Sequence, residues 1–146
     1  MFNYKIFNFN IKKYNINIYS YYNIKMDKEE WETNKISKPK ELVLTIKKYT
    51  IVVIKISASW CGPCKNKIFL ESYHKLKSIH SSNPNIKFIE LDIDDDSDII
   101  NDKKYYDIDV NSVPTFLITK NGSFIKKYSG GGYLDDINQY IYSTFN

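Results

Sequence analysis

Both cysteines of this 146-residue chain lie in one pentapeptide, Trp-Cys-Gly-Pro-Cys, at residues 60–64. Because there is no third cysteine, Cys61 and Cys64 either pair with each other or remain free thiols. Two thiols separated by two residues at the start of a helix can close a small disulfide ring that reopens easily. The N-terminus of a helix also favours the thiolate, the nucleophilic form of cysteine. The motif therefore indicates thiol–disulfide exchange.

A Cys-x-x-Cys pair can also supply half of a zinc site, which needs two further ligands. The chain has two histidines, His74 and His80, and their spacing from the cysteines fits no zinc-finger pattern. We expect both histidines on the surface of a helix. The sequence therefore predicts no metal and no other cofactor, and redox chemistry for the two cysteines.

The charges of the chain are unevenly distributed. All 21 basic residues are lysine, and residues 1–25 hold four of them and no acidic residue. The other 17 lysines balance the 17 acidic residues, so the chain from Met26 onward has no general positive field for nucleic acid. A single cysteine pair without a disulfide framework favours a reducing compartment, which we take to be the cytoplasm. No segment has the length of a membrane span, and residues 1–25 lack the apolar core of a secretory signal.

Residues 1–25 are low in complexity and alternate partly between apolar and polar side chains. They fit an added strand, a poorly ordered tail or a weak organelle-targeting segment. Met26 is followed at once by a mixed-charge sequence, so it is also a candidate initiator. We divide the chain into an N-terminal extension, residues 1–25, which we expect to be dispensable, and one domain, residues 26–146.

Hydrophobic periodicity and turn signals predict an α/β order of elements in the domain. The cysteine motif follows directly on a β-branched run and precedes a helix. The predicted elements are a helix at Glu41–Tyr49, a strand at Ile51–Ile56, a helix from the motif to about His80, a strand at Ile86–Ile93, an irregular helix at Asp94–Tyr106, a hairpin of Thr115–Thr119 and Ser123–Tyr128 around Asn121-Gly122, and a last helix with an apolar stripe of Leu134, Ile137, Tyr140 and Ile141.

The pentapeptide between a strand and a helix resembles the active site of the thioredoxin family, and the order of elements is the order of that family. Val113-Pro114-Thr115-Phe116 adds to the resemblance, because the family has a cis-proline at the start of this strand, beside the cysteines. With Lys65 and Gly130, the resemblance covers residues from about 35 to 146. It implies the thioredoxin fold, an α/β fold in which a central mixed β-sheet is flanked by helices on both faces.

The two cysteines have different predicted roles. Cys61, at the exposed start of the helix, attacks a substrate disulfide as the thiolate, and Cys64, one turn further and more buried, resolves the mixed disulfide. Pro63 stiffens the turn, while Trp60 and Gly62 shape the rim on which substrate docks; simple packing is the alternative for Trp60. The other supporting residues at the docking surface are Val113, Pro114 and Gly130.

Three positions depart from the pattern of the family. Phe69 stands where the long helix usually has a kink-forming proline, so a straighter helix is expected. Ser57 replaces an aromatic residue three positions before Trp60. Lys55 replaces a buried aspartate that assists deprotonation of the second cysteine, and Glu90 stands where the family often has a lysine opposite that aspartate.

The exchanged charges predict that Lys55 and Glu90 meet on adjacent strands beneath the cysteines, because a lone buried ammonium is costly. In that arrangement Glu90 would accept a proton from Cys64, directly or through water. The alternative is that Lys55 extends to solvent and that Glu90 is an ordinary exposed strand residue.

The resemblance implies a monomeric protein-disulfide reductase. Its partners would be disulfide-containing proteins and a disulfide reductase that supplies electrons; neither nucleic acid nor a membrane is expected. Two alternatives stay open. The first is a disulfide isomerase or oxidant in an oxidising compartment, against which the Gly-Pro between the cysteines argues. The second is a binding module that uses the thioredoxin surface for docking, against which the retention of both cysteines argues.

Overall fold

The computed structural model describes residues 35–102 and 109–146. The order of elements in these ranges is the α/β order that the sequence predicts. The elements are α1 (Pro39–Lys48), β1 (Ile51–Ser57), α2 (Lys67–His80), β2 (Ile86–Asp92), α3 (Ser97–Ile100), β3 (Thr115–Lys120), β4 (Ser123–Ser129) and α4 (Leu134–Phe145), with 3₁₀ turns at Pro63–Lys65 and Gly131–Tyr133.

The four strands form one mixed sheet in the order β2-β1-β3-β4. β1 is parallel to β2 and antiparallel to β3, and β3 is antiparallel to β4. The β-branched run of β1 occupies an interior position in the sheet, where its first six residues are buried. A strand covered on both faces is expected to be apolar, and Lys55 is the one charged residue that departs from this pattern in β1.

Helices cover both faces of the sheet, which confirms the predicted fold class. Successive side chains of a strand point to opposite faces, so β1 contributes to two cores. The core on one side combines β1 with α1 and α3, and its buried members include Val52, Ile54, Ile56, Leu42, Ile46, Ile99 and Ile100. The core on the other side combines β1 and β3 with α2 and α4, and its buried members include Ile51, Val53, Phe116, Ile118, Phe69, Tyr73, Leu76, Leu134, Ile137 and Ile141.

The cysteine motif does not lie at the start of the long helix, and this prediction was wrong. The motif leads into the separate 3₁₀ turn, and Asn66, with φ −59° and ψ 127°, interrupts the helical backbone before α2 begins. The Asn66 side chain accepts a hydrogen bond of 3.2 Å from the backbone N–H of Phe69 and so caps α2. Asparagine favours such caps because its side-chain oxygen satisfies a free N–H of the first turn. The interruption thus lies at Asn66, three residues before Phe69.

The β3–β4 hairpin forms around the two residues that predict it. Asn121 and Gly122 have positive φ angles of 51° and 86°, the combination that a two-residue hairpin turn requires. The strands on either side are as predicted to within one residue. The hairpin places the start of β3 next to the end of β4, where Thr115 pairs with Ser129.

His80 is buried, contrary to the expectation of a surface position, whereas His74 is exposed. The Nε2 atom of His80 lies 2.7 Å from Oδ1 of Asn138, and its ring contacts the Tyr142 ring edge-on at 5.3 Å. α4 packs across the end of α2 and gives the imidazole a polar partner, which the sequence of α2 alone does not reveal.

Two predictions fall partly or wholly outside the described residues. Of the irregular helix expected at residues 94–106, only Ser97–Ile100 is helical among the described residues. The extension at residues 1–25 lies outside them. In the part of the chain that is described, no helix is long and apolar enough to cross a membrane.

Candidate active site

Cys61 and Cys64 form a disulfide directly after β1, with their Cα atoms 5.3 Å apart. The turn that carries them is closed by backbone hydrogen bonds. The N–H of Cys61 donates to the carbonyl of Ala58 at 3.1 Å, and the N–H of Lys65 donates to the carbonyl of Gly62 at 3.0 Å. These bonds fold the pentapeptide back on itself, so the two side chains point to the same place.

Both cysteines are buried, with 3% of Cys61 and 7% of Cys64 exposed. The expectation of an exposed Cys61 and a more buried Cys64 is therefore wrong for the disulfide form. The two residues pack with Ala58, Ile93 and Val113. The exposed surface at this point is supplied by their neighbours, since the Trp60 side chain is 67% exposed and Gly62 and Pro63 are exposed too.

The sulfur of Cys61 has a backbone donor close to it. The N–H of Cys64 points at the Cys61 Sγ atom at 3.2 Å. An N–H directed at a sulfur stabilises negative charge there, so after reduction this arrangement favours the thiolate on Cys61. We expected the start of a long helix to stabilise the Cys61 thiolate. In the structure the backbone N–H of Cys64 is the group that points at the Cys61 sulfur.

The peptide bond between Val113 and Pro114 is cis, as the resemblance implied. The carbonyl oxygen of Val113 lies 3.6 Å from Cys61 Sγ, so the loop before β3 forms one wall of the disulfide site. On its other side the loop is fixed by Gly130, whose N–H donates to the Pro114 carbonyl at 2.7 Å. Gly130 has φ 109° and ψ 167°, a backbone conformation that is essentially restricted to glycine.

Trp60 is held by a contact that sequence reasoning missed. Its Nε1–H donates to Oδ2 of Asp94 at 2.8 Å. Asp94 is fixed in turn because its backbone N–H donates to Oδ1 of Asp92 at 2.9 Å. The only signal in the sequence was the acidic cluster after β2, which we interpreted as the start of a helix. The contact holds an exposed indole beside the disulfide.

Lys55 and Glu90 form an ion pair, as predicted. They are register partners on β1 and β2, and Lys55 Nζ lies 2.9 Å from Glu90 Oε2. The alternative in which Lys55 extends to solvent is wrong, because 7% of its side chain is exposed, whereas Glu90 is half exposed. Lys77 of α2 binds the second carboxylate oxygen at 2.7 Å, a partner that sequence reasoning did not include. The position of the pair beneath the cysteines and a role in proton transfer stay predictions.

The aromatic ring of Tyr73 covers this charge cluster. Lys55 Nζ lies 4.5 Å and Lys77 Nζ 4.8 Å from the ring centroid, within the range of cation–π attraction. Burial raises the pKa of Tyr73, and the nearby Glu90 charge raises it further. Burial also raises the pKa of Glu90, but hydrogen bonds and charges from Lys55 and Lys77 outweigh it, so this pKa lies below its ordinary value.

The structure thus arranges the predicted residues in two groups. One group surrounds the disulfide and contains Cys61, Cys64, Val113, Pro114 and Gly130, with Trp60, Gly62 and Pro63 at its exposed rim. The other group contains Lys55 and Glu90 together with Tyr73 and Lys77. Within residues 35–102 and 109–146, no cluster of three His, Cys, Asp or Glu side chains is arranged to hold a metal ion.

Comparisons with known proteins point to one family. The family profile described as Thioredoxin matches residues 24–143. The thioredoxins of human and mouse are 35% and 36% identical to this chain over 80 residues, which are 55% of this chain and 67% of each relative.

Solved structures agree with the sequence comparison. The oxidised mitochondrial thioredoxin 3 of Saccharomyces cerevisiae is 28% identical and superposes with a TM-score of 0.59 over 74% of this chain and 92% of that protein. A thioredoxin of Entamoeba histolytica is 27% identical, with a TM-score of 0.58 over 74% of this chain and 95% of that protein.

Proposed function

The chain belongs to the thioredoxin family, and on that premise we propose that it reduces protein disulfides through Cys61 and Cys64. Family membership and the close cysteine pair make it a thiol–disulfide oxidoreductase. The observation that supports protein-disulfide reduction is the environment of the Cys61 sulfur atom. Cys61 Sγ lies between the N–H of Cys64 and the carbonyl of Val113 and is bonded to Cys64.

The first step is attack by the Cys61 thiolate on one sulfur of a substrate disulfide. A bond forms between Cys61 and that sulfur, the substrate S–S bond breaks, and the other substrate sulfur leaves as a thiolate. The Cys64 N–H at 3.2 Å favours the thiolate on Cys61 rather than on Cys64.

The second step is attack by the Cys64 thiolate on Cys61 Sγ. The mixed disulfide breaks, the second substrate thiolate leaves and takes up a proton, and the Cys61–Cys64 disulfide forms. The substrate gains two electrons and two protons in total, which the two enzyme thiols lose. A disulfide reductase, as electron donor, must return them before the next turnover.

The surface around the disulfide is suited to docking an extended substrate segment. The Trp60 indole, Gly62 and Pro63 form its exposed rim, and the cis peptide before Pro114 holds the Val113 carbonyl next to Cys61 Sγ. Gly130 supports that loop through its bond to the Pro114 carbonyl. In this proposal these residues position the substrate sulfur, and the two cysteines alone exchange bonds with it.

Glu90 is proposed as the group that receives the Cys64 proton before the second step, directly or through water, with Lys55 as its charge partner. The supporting observation is the charge-exchanged pair at the positions where the family has aspartate and lysine. Lys55 and Lys77 lower the pKa of Glu90, so its carboxylate is ionised but is a weaker proton acceptor than an unpaired glutamate. We expect Glu90→Gln to slow the second step, the attack of Cys64 on the mixed disulfide. An unchanged rate in this variant would contradict the role of Glu90 as proton acceptor.

The assignments of domain, compartment and assembly belong to the same proposal. Residues 26–146 form the catalytic domain, and the family profile, which begins at residue 24, supports that boundary. We place the protein in a reducing compartment, the cytoplasm, because its one cysteine pair must be recycled as a dithiol. The monomeric state is proposed from the resemblance alone.

Insulin reduction by the reduced chain, with a disulfide reductase or a chemical dithiol as electron donor, tests the function. We expect the wild type to reduce insulin, and Cys61→Ser and Cys64→Ser to lose turnover. Cys64→Ser should also trap substrate proteins as mixed disulfides on Cys61, whereas the Cys61→Ser/Cys64→Ser variant should trap none. Capture that survives loss of both cysteines, without insulin reduction by the wild type, would instead support a binding module.

A further inference from the structure

A cavity of about 520 Å³ opens beside the disulfide. Two residues of the cysteine motif form one wall, and the start of α2 and the turn after β4 form the others. Its lining residues are Gly62, Pro63, Lys65, Asn66, Phe69 and Gly131, and we call it the flanking cavity. Because Gly62 and Pro63 belong to both, the flanking cavity is continuous with the rim around Cys61 and Cys64.

Phe69 forms a rigid wall of the flanking cavity. Its ring stacks with Tyr73 at a centroid distance of 6.5 Å and contacts Phe116 edge-on at 6.1 Å. These contacts leave 9% of the residue exposed and bury the rest in the core. A buried ring with two aromatic neighbours has little freedom to change rotamer, so the shape of this wall is preset.

Gly131 leaves room for that ring. A Cβ atom at Gly131 would lie 2.9 Å from Cδ2 and 3.2 Å from Cε2 of Phe69, closer than two carbon atoms can approach without displacement. At Gly132, one residue further in the same turn, a Cβ would meet nothing within 4 Å. The shape of the flanking cavity therefore depends on the absence of a side chain at position 131 and not at position 132.

Lys65 supplies the charge of the flanking cavity. Its side chain is exposed, and within the described residues it takes part in no ion pair. Its backbone is fixed by the hydrogen bond from its N–H to Gly62, so the ammonium group is tethered close to the motif. The apolar side chains of Pro63 and Phe69, with the Lys65 ammonium group near them, match an apolar side chain that has an acidic neighbour.

We propose that the flanking cavity receives a bulky apolar side chain next to the reacting cysteine of a substrate polypeptide, with an acidic residue of the same segment facing Lys65. The inference rests on the proposed function and names its substrate class. Substrates with such a segment bind with the disulfide held over Cys61, and substrates with a small residue there lose the contact with Phe69.

The shape of the cavity is tested with two synthetic peptides, each a disulfide-linked homodimer. The two peptides differ only at the residue after the cysteine, which is Leu in one and Ala in the other. Both peptides have a Glu two positions after this residue. The rate constant for oxidation of the pre-reduced full chain is measured in a single turnover by acid quench. Hydroxyethyl disulfide, which has no side chain to place, is the reference substrate.

For the wild type we expect the Leu peptide to react about tenfold faster than the Ala peptide, the discrimination typical of an apolar pocket. Gly131→Ala displaces the Phe69 ring and should reduce the preference to about twofold, with an unchanged rate on hydroxyethyl disulfide. Gly132→Ala is the matched control and should keep the full preference. If Gly131→Ala fails to fold, Phe69→Leu reshapes the same wall and should also weaken the preference.

The charge is tested with Lys65→Gln against Lys67→Gln. Lys67 is the control because it is exposed and close in sequence to Lys65 but does not line the flanking cavity. Its Nζ atom lies 3.8 Å from Oε1 of Glu71. We replace the Glu of the Leu peptide by Gln and compare the rate constants of the two peptides. The Gln peptide should react about threefold more slowly with the wild type and with Lys67→Gln, since exposed ion pairs are weak. The two peptides should react at the same rate with Lys65→Gln.

A wild type without preference for the Leu peptide, or equal preferences in Gly131→Ala and Gly132→Ala, would overturn the inference about the cavity. A charge effect that persists in Lys65→Gln would contradict the acidic neighbour. Failure of the proposed function has a different signature, because the wild type would then reduce neither hydroxyethyl disulfide nor either peptide.

Discussion

At the scale of single residues, Lys55 poses the clearest energetic problem. An ammonium group in the interior strand of a sheet loses most of its hydration, and several contacts offset that cost. The carboxylate of Glu90 lies at 2.9 Å, and the face of Tyr73 lies 4.5 Å away. Glu90 is half exposed and keeps part of its own hydration, so the pair is less costly than a fully buried one.

Removal of Glu90 alone should therefore destabilise the protein more than removal of both charges. We expect Glu90→Gln to lower the free energy of unfolding by about 2 kcal/mol, because Lys55 then stays buried without its anion. Lys55→Met/Glu90→Gln should lose less. Denaturant titrations of the two variants and the wild type measure the difference, and a larger loss in the double variant would contradict this account.

The Glu90 pair should also make stability depend on pH. Because the pKa of Glu90 is lower in the folded state than in the unfolded state, its contribution is present above the unfolded pKa. The contribution is lost as the pH falls through the folded pKa, which lies below the ordinary value of a glutamate. The stability gap between wild type and Glu90→Gln should thus be constant near neutral pH and narrow in acid. A gap that widens in acid would show that the pKa of Glu90 is raised.

The Cys64 N–H at 3.2 Å from Cys61 Sγ predicts which thiol reacts first. After reduction, limiting iodoacetamide near neutral pH should label Cys61 well before Cys64, because the thiolate is the reactive form. Both cysteines fall within one tryptic peptide, residues 56–65, so fragmentation mass spectrometry must assign the label. Single Cys→Ser variants give the reference rates, and faster labelling of Cys64 would reverse the assignment of roles.

At the scale of the elements, local signals in the sequence were reliable. The β-branched run of Ile51–Ile56 and the Asn121-Gly122 turn each determine their structure within a few neighbouring residues. The interruption at Asn66 was missed, although asparagine is a common helix cap, because Phe69 in place of proline suggested a continuous helix.

Contacts between distant segments were the least predictable. The bond from Trp60 to Asp94, the burial of His80 against Asn138, and Lys77 as second partner of Glu90 all join side chains from different elements. None has a periodic signature, and each depends on how helices and loops pack on the sheet. The Lys55–Glu90 pair was the exception, since the resemblance supplied its strand register.

The turn after β4 offers an element-scale prediction. Gly130→Ala should cost about 2 kcal/mol in stability, because alanine is strained at φ 109° and ψ 167°. It should also disturb the loop at the Val113–Pro114 cis peptide through the bond to the Pro114 carbonyl, and so slow insulin reduction. Gly132 has no positive φ, and a Cβ atom added there would meet no atom within 4 Å. Gly132→Ala should therefore change neither the stability nor the rate of insulin reduction by a measurable amount. Equal effects at both positions would refute this role for Gly130.

At the scale of the whole molecule, the charge distribution separates the chain into two parts. The four lysines of residues 1–25 account for the whole net charge of +4, and the sequence from Met26 onward is neutral. The described core begins with Ile36, which is 4% exposed and packs in the cluster that contains α1. Ser37 then donates its backbone N–H to the Glu41 carboxylate at 2.7 Å, at the start of α1.

The described fold therefore includes Ile36 and Ser37, and the dispensability of residues 1–25 stays a prediction. We expect a chain that begins at Met26 to keep the melting temperature and the insulin reduction of the full chain. A chain that begins at Pro39 lacks Ile36 and the Ser37–Glu41 bond, and should lose about 3 kcal/mol of stability, the usual cost of deleting a buried aliphatic side chain. A marked fall in melting temperature after removal of residues 1–25 alone would show that the extension is part of the fold.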